Sequence, residues 1–157
     1  MSLVPQATFT NESLLLVRLL AAGLLASVLG WEREQARKSA GLRTHIVVAI
    51  AAALYTVLAE LVVQQGVAGE GGQRSDPVRA IQAIAMGIGF LGGGVIFVAH
   101  RRDQVHGLTT AASIWATAAV GIAAGLAHYV LAAGATVILV IVLRSLARLE
   151  PDEPHKP

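Results

Sequence analysis

The sequence predicts an all-α protein built as a polytopic transmembrane helix bundle. Of its 157 residues, 55% are hydrophobic and only 14% are charged, whereas a soluble domain carries about 25% charged residues. A soluble fold with so few charges could not cover its apolar surface, and a bilayer removes that requirement. Five apolar stretches approach the roughly 20 helical residues that cross a hydrocarbon core. We therefore expect one transmembrane domain over residues 1–148.

Polar and glycine-containing segments set the expected helix boundaries. Asp76-Pro77 offers an N-cap carboxylate and a proline at the first position of the third helix. The motifs that begin at Gly41 and Gly107 each place a glycine before a threonine that could cap the next helix. The helices are expected at about residues 14–30, 44–63, 77–99, 108–125 and 127–143, with a turn near Gly125, His128 and Tyr129 and a disordered cytoplasmic tail at 149–157.

Lysine and arginine are distributed unevenly between the loops, and this asymmetry predicts the orientation of the bundle. The side reached by the second loop holds only Arg74 and Arg79, apart from Arg18 within the first helix, and the opposite side holds all the other basic residues. We therefore expect the N-terminus outside and the C-terminus in the cytoplasm. The basic residues of the cytoplasmic side are Arg33, Arg37, Lys38, Arg43, Arg101, Arg102, Arg144, Arg148 and Lys156.

Charge and cysteine content exclude several function classes. The net charge is only +2, and the basic residues form no stripe with interleaved aromatics, so nucleic acid is not an expected partner. The chain has no cysteine, which excludes disulfides, cysteine-based zinc sites and cysteine nucleophiles. No nucleophile–base constellation is recognisable either. We expect no enzyme activity and no cofactor.

The outer polar layer is the first group of candidate functional residues, because ionisable groups within membrane helices are costly and often functional. Arg18 lies about one turn into the first helix, and Glu60 about one turn before the end of the second. Opposite charges at matching depth predict that Arg18 pairs with Glu60 or Asp76. A structural ion pair and a ligand or partner site both remain open. Arg79 and Gln82 complete the layer on one side of the third helix.

The inner polar layer lies at the expected cytoplasmic ends of the helices. Trp31 fits an interfacial aromatic anchor. Most of the charges are expected to form a solvated face, and His45 could be either a pH-sensitive group or a structural histidine. The candidate polar residues of this layer are Glu32, Glu34, Arg43, Thr44, His45, Thr109 and Thr110, and Arg33, Arg101, Arg102, Asp103 and His106 lie at the same depth.

The expected midplane holds hydroxyls and aromatics but no carboxylate, lysine, arginine or histidine. Magnesium sites usually include one or two carboxylates, and proton relays need titratable groups at depth. One protomer therefore lacks the ionisable side chains at the bilayer midplane that ion-coupled transporters use. The hydroxyl stripe of the fourth helix is expected to make interhelical hydrogen bonds. The midplane residues are Tyr55, Thr56, Ser113, Trp115, Thr117 and Thr136.

Glycines are concentrated in the third and fourth helices. The G-x-G-x-x-G pattern from Gly87 lies inside an apolar segment, so it does not predict a dinucleotide site. Spacings of four residues indicate close helix contacts, against neighbouring helices or against a partner. The alternative to close packing is a functional break of the third helix at residues 92–94. The packing glycines are Gly87, Gly89, Gly92, Gly93, Gly121 and Gly125.

A weak internal repeat relates the first two helices to the third and fourth. Each pair forms a hairpin with a basic inner loop, and its second helix restarts with Gly-Leu-x-Thr, at Gly41 and at Gly107. The two hairpins would run in the same direction, as in parallel repeats of transporters. Coincidence between two low-complexity hairpins is the alternative.

Five segments in order resemble the successive motifs of the MgtC/SapB family. They are GWERE at 30–34, GLRTH at 41–45, DPVR at 76–79, GIGFLGGGVI at 87–96 and GLTTAASIWATAAVG at 107–121. The resemblance implies a bacterial inner-membrane protein linked to growth at low magnesium and, in pathogens, to virulence. Longer members carry a cytoplasmic ACT-like domain, so the chain resembles the shorter branch.

Two functions follow from this resemblance and from the uncharged midplane. The first is a non-enzymatic regulator that docks on a second copy or on another membrane protein, such as the membrane sector of the F-type ATP synthase. The second is a transporter or channel for Mg²⁺ or another ion, built across an oligomer. The lipid bilayer is the surrounding partner in both.

The orientation can be tested by cysteine labelling, because the chain has no native cysteine. A cysteine placed at Ser39 should be protected from a membrane-impermeant reagent in intact cells and should react after lysis, whereas one in the 64–75 loop should react from outside. Labelling of the Ser39 position in intact cells would reverse the orientation.

Overall fold

A computed structural model describes residues 6–64, 77–99 and 107–147 as five helices. The helices are α1 (Gln6–Gln35), α2 (Leu42–Gln64), α3 (Pro77–Ala99), α4 (Leu108–Gly125) and α5 (Tyr129–Ala147). No strand occurs in these ranges. α3 and α4 have the expected bounds, α1 extends beyond them at both ends, and α5 starts and finishes later. Asp76 and the tail at 149–157 lie outside the described residues.

Length and surface composition identify the bundle as a membrane domain. Four helices are long and apolar enough to cross a bilayer: Glu12–Gln35, Leu42–Gln64, Val78–Ile96 and Leu108–Gly125. α5 carries a shorter apolar stretch, Tyr129–Ser145. Large apolar side chains stand exposed all around the bundle, with Phe90 at 84% and Val130 at 90% exposure. A water-soluble protein would bury such groups, so the prediction of a multi-pass helical membrane protein is confirmed.

The helices pack around a central pair formed by α2 and α4. α1 packs against both members of this pair, α3 does the same, and α5 packs against α1 and α4. Within the described ranges α1 and α3 do not touch each other. This packing order agrees with two parallel hairpins whose second helices meet at the centre, and coincidence remains the alternative.

Small residues form the core of the bundle. The fully buried positions include Ala22 and Ala26 of α1, Ala49 and Ala53 of α2, and Ala124 of α4. Lipid tails are as apolar as the helices, so burial from water does not drive the helices together within the bilayer. Close van der Waals packing does, and alanine and glycine permit the shortest approach between backbones.

The tightest approach occurs between α4 and α2. A methyl group added at Gly121 would overlap the carbonyl oxygen of Ala49. One added at Gly125 would lie 2.9 Å from the carbonyl oxygen of Ala53 and 3.0 Å from Cβ of Thr56. The two glycines are four residues apart, so they lie on one face of α4. That face follows the backbone of α2.

α3 is a continuous helix, so the alternative of a break at residues 92–94 is wrong. A methyl group added at Gly92 would lie 3.5 Å from Cβ of Ala111 on α4, in ordinary contact. Gly87, Gly89 and Gly93 have no atom of another element within 4 Å of that position. For these three glycines the expected contact with a neighbouring helix is not found among the described residues, and contact with a partner stays a prediction.

The expectation that threonines cap α2 and α4 is wrong, because both helices begin earlier. Thr44 and Thr110 lie within the first turns, after Leu42 and Leu108. The N-cap of α4 is Gly107, which has a φ of 87° and no side-chain cap hydrogen bond. A left-handed φ of this kind suits glycine, which explains why this residue precedes the helix.

Both described turns follow the same helix-ending geometry. After α1, Lys38 N–H donates to Arg33 O and Arg37 has a φ of 52°. After α4, His128 N–H donates to Ala123 O and Ala127 has a φ of 60°. This is the Schellman arrangement with a non-glycine residue at its left-handed position. It explains how α4 and α5 reverse direction within three residues, 126–128.

Substitution of Gly121 by alanine should loosen the central pair, because the added methyl group meets backbone that cannot rotate away. Overpacking of this kind costs about 1–3 kcal/mol. The free energy of unfolding, measured by denaturant titration in mixed micelles with circular dichroism, should fall accordingly. Gly134→Ala on α5, where the added group meets nothing within 4 Å, is the matched control. Equal stability of the two variants would contradict the close approach.

Candidate functional site

Arg18 lies at the centre of the outer polar site. Its Nη1 donates to Oε2 of Glu60 at 2.5 Å and to the carbonyl oxygen of Gly125 at 3.1 Å. Of the two partners expected for Arg18, the structure places Glu60 against it, and Asp76 lies outside the described residues. Both side chains are half-buried. One guanidinium therefore joins α1, α2 and the end of α4.

The contact with Gly125 has an electrostatic reason. The last four carbonyls of a helix have no partner within it, and the helix dipole makes this end negative. Arg18 supplies a donor and a positive charge to that end. Gln64 donates its amide to Oε1 of Glu60 at 3.2 Å, so both carboxylate oxygens accept hydrogen bonds.

A cavity of about 230 Å³ borders the outer site, between α2, α3 and the start of the α4–α5 turn. Glu60 and Gln64 line it from α2, and Ala80 and Ile81 line it from α3. Arg79 and Gln82 are exposed on α3, and no described hydrogen bond links them to the outer pair. The structure therefore separates these two candidates from Arg18 and Glu60.

The inner polar site begins with a buried ion pair in the last turns of α1. Arg33 and Glu32 are both almost fully buried. Nε and Nη2 of Arg33 donate to the two carboxylate oxygens of Glu32, with Nη2 at 2.8 Å from Oε1. The expectation of a solvated face is wrong for these two residues, because a charge can be buried only when it is paired. Arg101, Arg102, Asp103 and His106 lie outside the described residues.

Glu34 caps the start of α2. Its Oε2 accepts a hydrogen bond from the backbone N–H of Leu42 at 2.9 Å. The first four N–H groups of a helix lack internal partners, and a negative charge is favoured there. The carboxylate occupies the space where a side chain at Gly41 would project. This close approach explains the glycine before α2.

His45 connects α2 to α4 within the bundle. Its ring is fully buried, with Nδ1 at 2.9 Å from the carbonyl oxygen of Gly41 and Nε2 at 3.2 Å from Oγ of Ser113. Ser113 Oγ also lies 2.8 Å from the carbonyl oxygen of Thr110, to which it donates.

A count of hydrogens shows what this chain of contacts requires. Carbonyl oxygens only accept, so Nδ1 of His45 must carry a hydrogen. The single hydroxyl hydrogen of Ser113 can serve the Thr110 carbonyl or Nε2, but not both. Three simultaneous hydrogen bonds therefore need the imidazolium form, and the neutral ring keeps two. In the neutral ring the Ser113 hydroxyl can donate to Nε2 instead of to the Thr110 carbonyl, so a contact between α2 and α4 is available in either form.

The midplane hydroxyls bond to their own helices. Thr56 donates to Ala52 O, Thr117 to Ser113 O and Thr136 to Ala132 O, all within 2.9 Å. For the hydroxyl stripe of α4, the expectation of interhelical hydrogen bonds is wrong for Thr117, because a carbonyl four residues earlier is within reach of a helical threonine, whereas Ser113 does contact His45 of α2. Among the candidates without a described polar contact, Arg43, Thr44, Tyr55, Thr109 and Trp115 are exposed.

Both polar sites thus connect α1, α2 and α4, and the charged side chains of Arg18, Glu60, Glu32 and Arg33 are paired within them. No group of three or more His, Asp or Glu side chains suited to a metal ion occurs in the described part of the chain. The geometry supports a rigid scaffold with polar contacts between its helices at both ends.

The family model described as the MgtC family matches residues 19–151. This chain belongs to the MgtC family. The match covers all five motifs and the described residues of both polar sites except Arg18, so the resemblance inferred from the sequence motifs is confirmed.

Relatives in several bacteria share the membrane part. An uncharacterised protein of Haemophilus influenzae is 38% identical over 145 residues, which is 91% of this chain and 60% of that protein. The Escherichia coli K12 protein YhiD, whose name marks it as a candidate magnesium transporter, is 34% identical over 85% of this chain and 61% of its own length. The protein MgtC of Brucella abortus is 41% identical over 79% of this chain and 48% of its own length.

The chain therefore spans about half to three fifths of the length of these curated relatives. No solved structure matches it. The family motifs correspond to identifiable contacts: GWERE holds the buried pair and the cap of α2, GLRTH holds His45, and the last motif holds Ser113 and Gly121.

Removal of the outer ion pair should show coupling between its members. Arg18→Ala leaves Glu60 unpaired at depth and the end of α4 without its donor, and we expect a loss of about 2–3 kcal/mol in the free energy of unfolding. Glu60→Ala in the same chain should recover part of that loss, as measured by denaturant titration in micelles. Arg43→Ala, which removes an exposed cation, is the control. Strictly additive losses would exclude the pairing.

Proposed function

We propose that this member of the MgtC family is a non-enzymatic protein of the bacterial inner membrane that regulates another membrane complex. It does so by docking a helix of that complex against α3. The observation that carries the proposal is the open glycine face of α3, formed by Gly89 and Gly93, which no described element of the chain covers.

α3 has a second open surface on the side opposite Gly89 and Gly93, and its shape also suits a helix. A groove of about 600 Å³ runs between α2 and α3, lined by apolar groups that include Val47, Tyr55, Gly87 and Leu91. The bundle contains an example of such packing, because α5 lies against the helix pair α1 and α4. A partner helix would lie in the same way against the helix pair α3 and α2. An apolar helix with small residues on one face therefore fits this groove.

The spacing of the glycines favours close contact with such a helix. Gly89 and Gly93 are four residues apart, the spacing at which two membrane helices approach backbone to backbone. Against lipid the same positions expose polar backbone and lack side-chain packing. A protein helix packed against this face would therefore supply the van der Waals contacts that lipid does not.

The family resemblance supports the membrane sector of the F-type ATP synthase as the partner complex and adaptation to low magnesium as the setting. The described charges of the two polar sites are turned inward, so recognition would depend on shape within the bilayer. Arg79, exposed near the start of α3, would meet a partner close to the membrane surface.

Gly89→Leu should block docking, because a leucine side chain fills the space that a partner backbone requires. The expected loss of partner copurification from native membranes is about ten-fold or more, since overpacking costs about 1–3 kcal/mol. Growth at low magnesium should fall in parallel. Folding should be unchanged, because no described residue of another element lies within 4 Å of a side chain added at this position.

Val137→Leu is the matched control, a similar enlargement at an exposed position of α5. It should leave copurification and growth unchanged. If Gly89→Leu and Gly93→Leu both preserve copurification, oligomeric state and growth at low magnesium, α3 is not the docking face.

Transport of Mg²⁺ or another ion is the alternative, favoured by the name of the Escherichia coli relative. Since the described residues of one protomer hold no acidic cluster, the ion path would run across an oligomer. Purified protein in liposomes that contain a magnesium-sensitive dye separates the two functions. Flux above that of protein-free liposomes would support transport, and its absence together with specific copurification would support regulation.

A further inference from the structure

A second groove lies on the outer face of α1, at the end of the bundle that holds the inner polar site. It encloses about 480 Å³, within the range of about 300–1,000 Å³ that is typical of ligand sites. We propose that it binds an anionic glycerophospholipid, with an acyl chain along its walls and the phosphate at its cationic end. The groove is lined by Ser27, Val28 and Trp31 of α1, Leu42 and Ile46 of α2, and Val140 and Arg144 of α5.

The walls suit an acyl chain. α1 forms the floor, and α2 and α5 form the two sides, so the groove runs along the helices and opens toward lipid. Val28 is 51% exposed and Trp31 is 57% exposed. Four of the seven lining side chains are aliphatic. A hydrocarbon chain in this position would lie against protein on three sides.

Two hydrogen-bond donors at the same end suit a phosphate. The Arg144 guanidinium and the Trp31 indole N–H make no hydrogen bond or ion pair with any residue in the described ranges. The Ser27 hydroxyl donates to the carbonyl oxygen of Leu24, so its hydrogen is already used. Arginine and tryptophan are therefore the donors that an incoming headgroup would meet.

Among the described residues, no acidic group forms an ion pair with Arg144. Glu32 is buried and holds Arg33 through both of its oxygens. Glu34 accepts the backbone N–H of Leu42. No carboxylate lines the groove. The cationic end is thus complementary to an anion, and basic sites between helices near the membrane surface attract anionic headgroups.

Other grooves of the bundle lack this combination. The groove between α2 and α3 has no charged lining residue. Neither has the groove of about 390 Å³ that α1, α4 and α5 form around Leu29, Thr109 and Leu143. Preference for an anionic lipid should therefore be confined to the groove at Arg144.

Fluorescence quenching of Trp31 tests the proposal. The chain has two tryptophans, and Trp115→Phe, at an exposed position, leaves Trp31 as the only one. The full-length protein is reconstituted into phosphatidylcholine vesicles that contain increasing amounts of brominated phosphatidylglycerol, or of brominated phosphatidylcholine as reference. Phosphatidylglycerol should compete about five-fold better for the groove, the effect expected of one basic residue near the membrane surface.

Two variants and one competitor decide the outcome. Arg144→Gln should abolish the preference, whereas Arg43→Gln, which removes an exposed cation that does not line the groove, should retain it. Inorganic phosphate at constant ionic strength should not reduce the preference. Equal quenching by the two lipids, an unchanged preference in Arg144→Gln, an equal loss in Arg43→Gln, or displacement by inorganic phosphate would each overturn the proposal.

Discussion

The backbone contact between α2 and α4 is the constraint on which the rest of the bundle depends. Gly121 and Gly125 lie against the backbone of Ala49 and Ala53, and any larger residue on this face of α4 would separate the two helices. Within a bilayer the helices gain nothing from leaving water, so a few tenths of an ångström in their separation decide how much packing energy is available. α1 and α3 can each contact both central helices only because these two lie so close together.

Both polar sites depend on the short distance between α2 and α4. Arg18 reaches Glu60 on α2 and the last carbonyl of α4 at once, which requires the ends of those helices to lie side by side. At the other end, His45 reaches Ser113 for the same reason. Ser113 and Gly125 are twelve residues apart, a separation of about 18 Å along a helix. The apolar contact therefore lies between two polar ones, and each polar contact stays satisfied only while the backbone contact holds.

The sequence predicts the fold class because hydrophobic length alone identifies a membrane helix. It also predicts the pairing of Arg18, since opposite charges at equal depth have few other partners. It does not predict the burial of Glu32 and Arg33, because residues near the end of a membrane helix look alike whether they face water or a neighbouring helix. The capping of Leu42 by Glu34 escapes sequence reasoning as well, since it joins residues eight apart across a turn.

Glycine spacing is a further feature whose structural role the sequence alone does not predict. Gly89 and Gly93 on α3 have the same four-residue spacing as Gly121 and Gly125 on α4, yet only the second pair meets another helix in the chain. Spacing reports that two glycines share a face, and it does not report what covers that face. Only the packing order of the helices distinguishes the two cases.

That difference bears directly on the function of the bundle. A helix that faced only lipid would pack better with leucine or alanine at these positions, because glycine exposes backbone and offers no side chain to acyl chains. α5 fills the groove beside α1 and α4, and no described element fills the corresponding groove beside α3. Glu32 and Arg33 are buried in the bundle and the groove between α2 and α3 has no charged lining residue, so a partner at the middle of α3 would meet glycine backbone and apolar walls. Recognition by such a surface depends on how closely a second helix can approach, which is the property that Gly121 and Gly125 already provide inside the bundle.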